Sequence, residues 1–187
     1  MFVLGGATAR RRFAASLIWP RPFRMTFLLA PVDSDALWQH AVRIRTDVFI
    51  GEQACPPDEE WDAFDPWDGP GAARHVVAFV DGQPAATARW HVAEHDGHPV
   101  AKLERFAVLP AFRGLGLGRW LVGQVMGLAE AAGLAHQVLH AQAHLEGFYG
   151  AFGFRRCGDD FWEAGIRHVP MERRGGVEEW KNGGVKE

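Results

Sequence analysis

Residues 98–134, "HPVAKLERFAVLPAFRGLGLGRWLVGQVMGLAEAAGL", change hydrophobic period abruptly, and that change limits what the chain can fold into. "VAKLERFAVL" reads as a long strand ended by Pro110, whereas Arg119 to Ala132 carries an apolar face at helical spacing and is closed by Gly133. Between them lie glycines at 114, 116 and 118. Strand, glycine loop and helix together suit an anion, because glycine lets backbone amides approach closely and the first turn of the helix offers unpaired N–H groups. The spacing excludes two nucleotide motifs. A P-loop needs Lys followed by Ser or Thr after its last glycine, and a dinucleotide fingerprint needs its third glycine three positions after its second; here Gly118 follows Gly116 by two.

The flanking pattern alternates in type. Thr26 to Leu29 is a short apolar strand, and Asp33-Ser34-Asp35 caps a helix carrying Leu37, Trp38, Ala41, Ile44, Val48 and Phe49. An acidic, proline-containing loop follows, then a hairpin turning at Asp81-Gly82, and a second turn at "EHDG" leading into the long strand. After the glycine-loop helix come a strand "HQVLHAQ", a short helix holding Tyr149, and terminal strands near "RRCGDDFWEAG" and "HVPMER". There is no internal repeat. At 187 residues the chain holds one sizeable core.

Charge is unevenly placed. Residues 1–32 hold five arginines and no acid, leaving fifteen basic against twenty-three acidic groups, a net of −8, in the remainder. An acidic body argues against a nucleic-acid groove and suits a cationic or small neutral substrate. No apolar run reaches the ~18 residues that cross a bilayer, so no membrane partner is expected. The two cysteines, Cys55 and Cys157, match neither a disulfide framework nor a metal set and suit the cytoplasm. Residues 1–24 read as a basic extension upstream of a working start at Met25, the alternative being a targeting peptide. Residues 25–173 form a single domain, and 174–187 a polar tail. Nothing in the sequence speaks to oligomeric state.

Arg113-Gly114-Leu115-Gly116-Leu117-Gly118 resembles the Arg/Gln-x-x-Gly-x-Gly/Ala signature of the GNAT superfamily of N-acetyltransferases, and about thirty residues on Phe148-Tyr149-Gly150-Ala151-Phe152-Gly153-Phe154 matches that family's Phe/Leu-Tyr-x-x-x-Gly-Phe element. "RIRTDVFIGEQACP", "LERFAVLPAFRG", "AQAHLEGFYGAFGF" and "EAGIRHVPM" point to its ElaA-type subgroup. The resemblance implies an α/β fold with a mixed, mostly antiparallel central sheet flanked by helices and splayed to form a cofactor cleft. It implies acetyl-CoA as co-substrate and direct acetyl transfer to a primary amine of a small molecule or peptide. Phe106, Ala107 and Val108 would pair through their backbone with the pantetheine arm. The segment Arg113, Gly114, Leu115, Gly116, Leu117, Gly118 and Arg119 would take the pyrophosphate, the two arginines adding charge. Gln142 stands where many relatives place a cofactor-contacting Asn, and by the same resemblance Tyr149 would also touch the cofactor.

The chemistry implied needs a base to deprotonate the ammonium and an acid for the departing thiolate. Tyr149 suits the acid, since a phenol of ordinary pKa about 10 is protonated at neutral pH. The Val108 amide would meet the oxyanion. For the base, Glu104 resembles the acidic residue of many relatives and shares a side with Val108 if no bulge intervenes; a salt bridge with Lys102 or Arg105 is the alternative role, and His140, His144 or water the alternative bases. His140 and His144 straddle a strand end and lack a third ligand, so no metal is expected. His91, His95 and His98 are expected to be solvated. The acids Glu59, Glu60, Asp62, Asp65 and Asp68, interleaved with Trp61, Phe64 and Trp67, either attract a cation or form a solvated loop with its aromatics turned inward. Two other functions stay open. Arg45-x-x-x-Phe49 with Glu60-x-Asp62-x-x-Asp65 resembles the N-terminal pattern of acyl-homoserine-lactone synthases, and the loop would also serve a non-catalytic acyl-CoA-binding module.

Overall fold

The computed structural model describes residues 25–69 and 71–175; the basic extension, 1–24, and all but the first two residues of the tail, 174–187, lie outside the described residues. Eight strands form one sheet: β1 (Phe27–Pro31), β2 (Arg74–Val80), β3 (Gln83–His95), β4 (His98–Val108), β5 (His136–Gln142), β6 (Arg155–Arg156), β7 (Phe161–Glu163) and β8 (Ile166–Arg174). Their order is β1-β2-β3-β4-β5-β8-β6, with β7 paired to β8. Four helices accompany them: α1 (Asp35–Arg45), α2 (Pro57–Glu60), α3 (Leu117–Ala131) and α4 (Glu146–Gly150).

Local chemistry sets the hairpins. Asp81-Gly82, Asp96-Gly97 and Ala164-Gly165 all have positive φ at both residues, the turn that matches the twist of paired strands. Arg174, expected in the tail, closes β8 opposite His136. The helix that the sequence runs through Phe49 is α-helical only to Arg45; Thr46–Glu52 continues it as a π-helix. Wide turns of this kind concentrate at functional sites, and this one delivers Glu52 and Gln53 to the cleft described below.

The two faces of the sheet are covered by different helices. Leu117, Leu121, Val122, Val125, Met126 and Ala129 of α3 pack with Val76, Ala88, Trp90, Leu103 and Leu139 in the main core. Ala41 and Ile44 of α1, with Val48, pack with Val77 and Ala107 in a smaller core on the other face. Each Val, Leu, Ile or Met side chain among them contributes about 1.5–3 kcal/mol on burial.

β4 carries the feature that opens the sheet. Arg105 has φ +54 and the β3–β4 register shifts between Thr87 and Arg89, which marks a β-bulge. The extra residue reverses the side-chain alternation. Leu103, Phe106 and Val108 face the α3 core, and Ala107 faces the α1 core. β4 and β5 are parallel neighbours that pair only at Ala101↔Gln137 and Lys102↔Val138, just before the bulge. Beyond it the strands diverge and leave a V between β4 and β5.

Candidate active site

Two cavities meet in the V. The larger, about 620 Å³, runs from Arg113 and Gly118 past Leu121, Val108 and Phe148 to Tyr149. The smaller, about 150 Å³, is lined by Cys55, Glu59, Glu104, His140, Glu163 and His168 among others. Gln53, Phe106, Gln142, Leu145, Tyr149 and Ile166 border both.

The larger cavity has a polar, anion-ready mouth. Gly114 and Gly116 have φ +78 and +84, and Gly116 is the N-cap of α3 with no side-chain cap. The first amides of α3 are therefore left for an outside acceptor, with the positive end of the helix dipole behind them. Leu115 is exposed, whereas Leu117 is buried in the α3 core and positions the loop. Gly118 sits against Val108, where a Cβ would meet the valine Cγ2 at 3.7 Å. Arg113, expected to add charge at the pyrophosphate, is already paired. Its Nε donates to the Val108 carbonyl at 2.9 Å and its two terminal nitrogens grip Glu52 at 2.6 Å each, tying the loop to the π-helix. Arg119 lies over Phe148 and Phe152.

The divergence leaves the end of β4 without a strand partner on one side. Leu109 N–H bonds the Ala85 carbonyl across the sheet. Groups alternate along a strand, so the N–H and C=O of Val108 and Phe106 turn toward the V, where Arg113 Nε already occupies the Val108 carbonyl, while those of Ala107 turn to β3. Ala107, opposite Thr87, contributes position and no free backbone group. Gln142 closes β5 at the same level and donates to Gln53 at 3.0 Å.

Tyr149 is 6 % exposed and packs edge-on against Phe106, Phe148 and Phe154. Its hydroxyl has no hydrogen-bond partner among the described residues, and it borders both cavities. Burial pushes its pKa well above the ordinary phenol value. The phenol therefore stays protonated at the junction of the two cavities.

Glu104 does not share a side with the Val108 side chain, because the bulge intervenes. It accepts from Arg89 at 2.9 Å and from Lys102 at 3.0 Å. Burial opposes its charge, but Arg89 and Lys102 outweigh burial and hold the carboxyl below its usual range. Lys102 was an expected partner; Arg89 was not. Arg89 and Arg45, each 1 % exposed, anchor a buried network that takes Asp62, Asp65 and Glu104 on Arg89, and Glu60 and Asp65 on Arg45. The Trp61 ring covers the Arg45 guanidinium. Burial opposes ionisation of Asp62 too, yet the Arg89 and Phe64 hydrogen bonds bring it down to about 2. Glu60 and Asp65 are thus spent inside the fold, which excludes both the solvated loop and the cation trap for them, while Asp62 is tied to Arg89 at the exposed edge of the network.

His140 stands in the smaller cavity, edge-on to Phe161, with its Nδ1 3.9 Å from Glu163. Burial, then the charge of Lys102, lowers its pKa below the ordinary imidazole value. His144 borders the larger cavity instead. His91 is not solvated but stacked on Phe64 at 4.0 Å, and His95 meets His136 and Glu172. Glu52, Gln53 and Glu163 went unmarked in the sequence. They reach the site from the π-helix and from the Ala164-Gly165 turn, neither of which has a periodic signal.

Comparison with known proteins agrees with this geometry. A family model described as an acetyltransferase (GNAT) domain matches residues 58–174. A Bacillus subtilis protein carrying an acetyltransferase name is 35 % identical over 134 residues, covering 72 % of this chain and 87 % of its own. A Pseudomonas aeruginosa acyl-CoA N-acyltransferase has a similar crystal structure, with 31 % identity, TM-score 0.67, and coverage of 80 % of this chain and 99 % of that one. Escherichia coli ElaA is similar at 26 % identity and TM-score 0.67, over 81 % of this chain and 100 % of its own. No helix among the described residues is long and apolar enough to cross a membrane. With its glycine loop, splayed mostly antiparallel sheet and these relatives, the chain belongs to the GNAT acetyltransferase family of enzymes.

Proposed function

We propose that the protein transfers an acetyl group from acetyl-CoA directly to a primary amine of a small molecule or peptide, in the cytoplasm. The observation that carries this reading is the position of Tyr149 between two cavities of different chemistry. The larger offers uncapped α3 amides for a pyrophosphate and turned-out β4 backbone for an amide-bearing arm, which would lie as an added strand beside Phe106 and Val108. The smaller holds His140 and the acids Glu59 and Glu163, which suit an ammonium.

In this reading acetyl-CoA supplies the acyl group as a thioester. His140, neutral at physiological pH, removes a proton from the bound ammonium, with Glu163 close to its Nδ1. Glu104, already holding Arg89 and Lys102 with a depressed pKa, serves as the fixed negative wall of the acceptor site or passes the proton through water. The amine nitrogen then attacks the carbonyl carbon. The Val108 N–H stabilises the oxyanion; as the C–S bond breaks, the Tyr149 hydroxyl protonates the departing sulfur, and the excess proton on the new amide nitrogen passes through water back to the phenolate. No protein nucleophile is required, so no acyl-enzyme forms.

A panel of primary amines, tested with purified protein and acetyl-CoA by thiol release and by mass of the product, checks this reading. Acetylated amine at a catalytic rate supports it. Tight acetyl-CoA binding without transfer to any amine class in the panel would favour the binding-module reading instead.

A further inference from the structure

We propose that His95, His136 and Glu172 bind a divalent transition-metal ion, zinc by its donor set, which clamps the two halves of the sheet at the closed end of the V. One ligand atom from each of the three residues lies within 4.8 Å of the others. His136 Nε2 is 2.9 Å and His95 Nε2 3.8 Å from the same oxygen of Glu172. The two imidazoles stand edge-on with centroids 5.6 Å apart. Zinc bonds to nitrogen and oxygen at about 2.0–2.2 Å, so tetrahedral donors lie about 3.3 Å from one another. The two separations to the carboxylate bracket that value.

The alternative role is an ion pair. Glu172 already takes His136 and, at 3.3 Å, Arg174. That pairing needs neither the second imidazole nor its approach. His95 Nε2 is beyond hydrogen-bond reach of both nearby carboxylates, 3.7 Å from Asp96 and 3.8 Å from Glu172. It converges on the carboxylate without bonding it, as a ligand would around an ion. The three side chains are 22 to 32 % exposed, which leaves an entry path and room for water in the fourth position. Arg174, 60 % exposed, is free to swing into solvent when the ion arrives.

Topology gives the site a purpose. His95 ends β3, in the β1–β4 half of the sheet; His136 opens β5 and Glu172 lies on β8, in the other half. Those halves share only two residue pairs across β4 and β5. A bound ion would add coordination bonds across this short seam. It would stand apart from the reaction, since His136 precedes His140 by four residues on β5, about 13 Å of extended chain.

The test uses tag-free full-length chain stripped by chelator and dialysed. Calorimetry with zinc chloride should show one ion per chain, and zinc at a hundredfold excess over Kd should raise Tm by roughly 5–10 °C. Cobalt(II) should give the visible absorption of a tetrahedral site. His136→Ala, His95→Ala and Glu172→Gln should each weaken zinc at least tenfold, whereas His98→Ala, one hairpin position away, should not. Glu172→Gln retains an acceptor for His136 and guards against misfolding, and its Tm in chelator should stay within a few degrees of the parent. No zinc-dependent rise in the parent, or an equal rise in His136→Ala and Glu172→Gln, would overturn the proposal.

Discussion

His140 and Tyr149 border one cavity but face opposite protonation demands, and burial serves both. It favours the neutral imidazole, which the base must be, and the neutral phenol, which the acid must be. At saturating amine, kcat should therefore rise with pH along a limb below the ordinary imidazole pKa of about 6.5 and stay level through the range where a free phenol would ionise. His140→Gln should lower kcat by ~10²-fold or more and abolish that limb; a limb left in place would assign the base elsewhere. Gly116 tests the cofactor end. Its φ of +84 costs a β-branched residue about 1–2 kcal/mol, and relaxing that strain displaces the amides at the start of α3. Gly116→Val should weaken acetyl-CoA binding at least tenfold, ~1.4 kcal/mol, in calorimetry.

At the scale of elements, the decisive parts are the β4 bulge and the loop that the buried arginines hold beneath it. Arg89 draws Asp62, Asp65 and Glu104 together from positions 15 to 27 residues away. Burying these charges is costly, and removing one partner exposes that cost. Arg89→Leu should destabilise by about 3–5 kcal/mol, read as a lower urea midpoint, with a smaller deficit at acidic pH where the stranded carboxyls protonate. An unchanged midpoint would mean that the network is not structural. The same parts mark the limit of what the sequence reveals. The strand, glycine loop and α3 were legible because their signals are local: period two, then glycine, then period 3.6. β5 was legible for the same reason. The bulge was not, since Arg105 looks like any strand residue, and the face of Glu104 turned on it. The fate of the acidic loop was also hidden, because its partners are set by tertiary packing. Arg113 bore the family signature, but its grip on Glu52 required the π-helix.

At the scale of the molecule, folding should couple to pH through groups far from the chemistry. His75, packed against Trp38, is lowered by burial to about 4. Its unfolded form binds a proton below about 6.5 while the folded form does not, so its contribution is complete above that value and is lost as pH falls toward 4. Asp62, near 2 when folded, contributes above the ordinary aspartate value and is lost as pH falls through 2. Unfolding free energy should thus decline in two stages on acidification, the upper no steeper than ~1.4 kcal/mol per pH unit per proton and the lower smaller because solvent screens the exposed Asp62, and His75→Gln should flatten the upper stage. The central claim concerns the whole cleft: the two halves of the sheet part so that acetyl-CoA and an amine meet at one phenol. Tyr149→Phe keeps the ring and removes only the oxygen. With kcat and acetyl-CoA Kd measured on one preparation, on an amine for which chemistry limits turnover, the account predicts Kd nearly unchanged and kcat reduced ~10²- to 10⁴-fold; a near-normal kcat would contradict it and leave Tyr149 as packing.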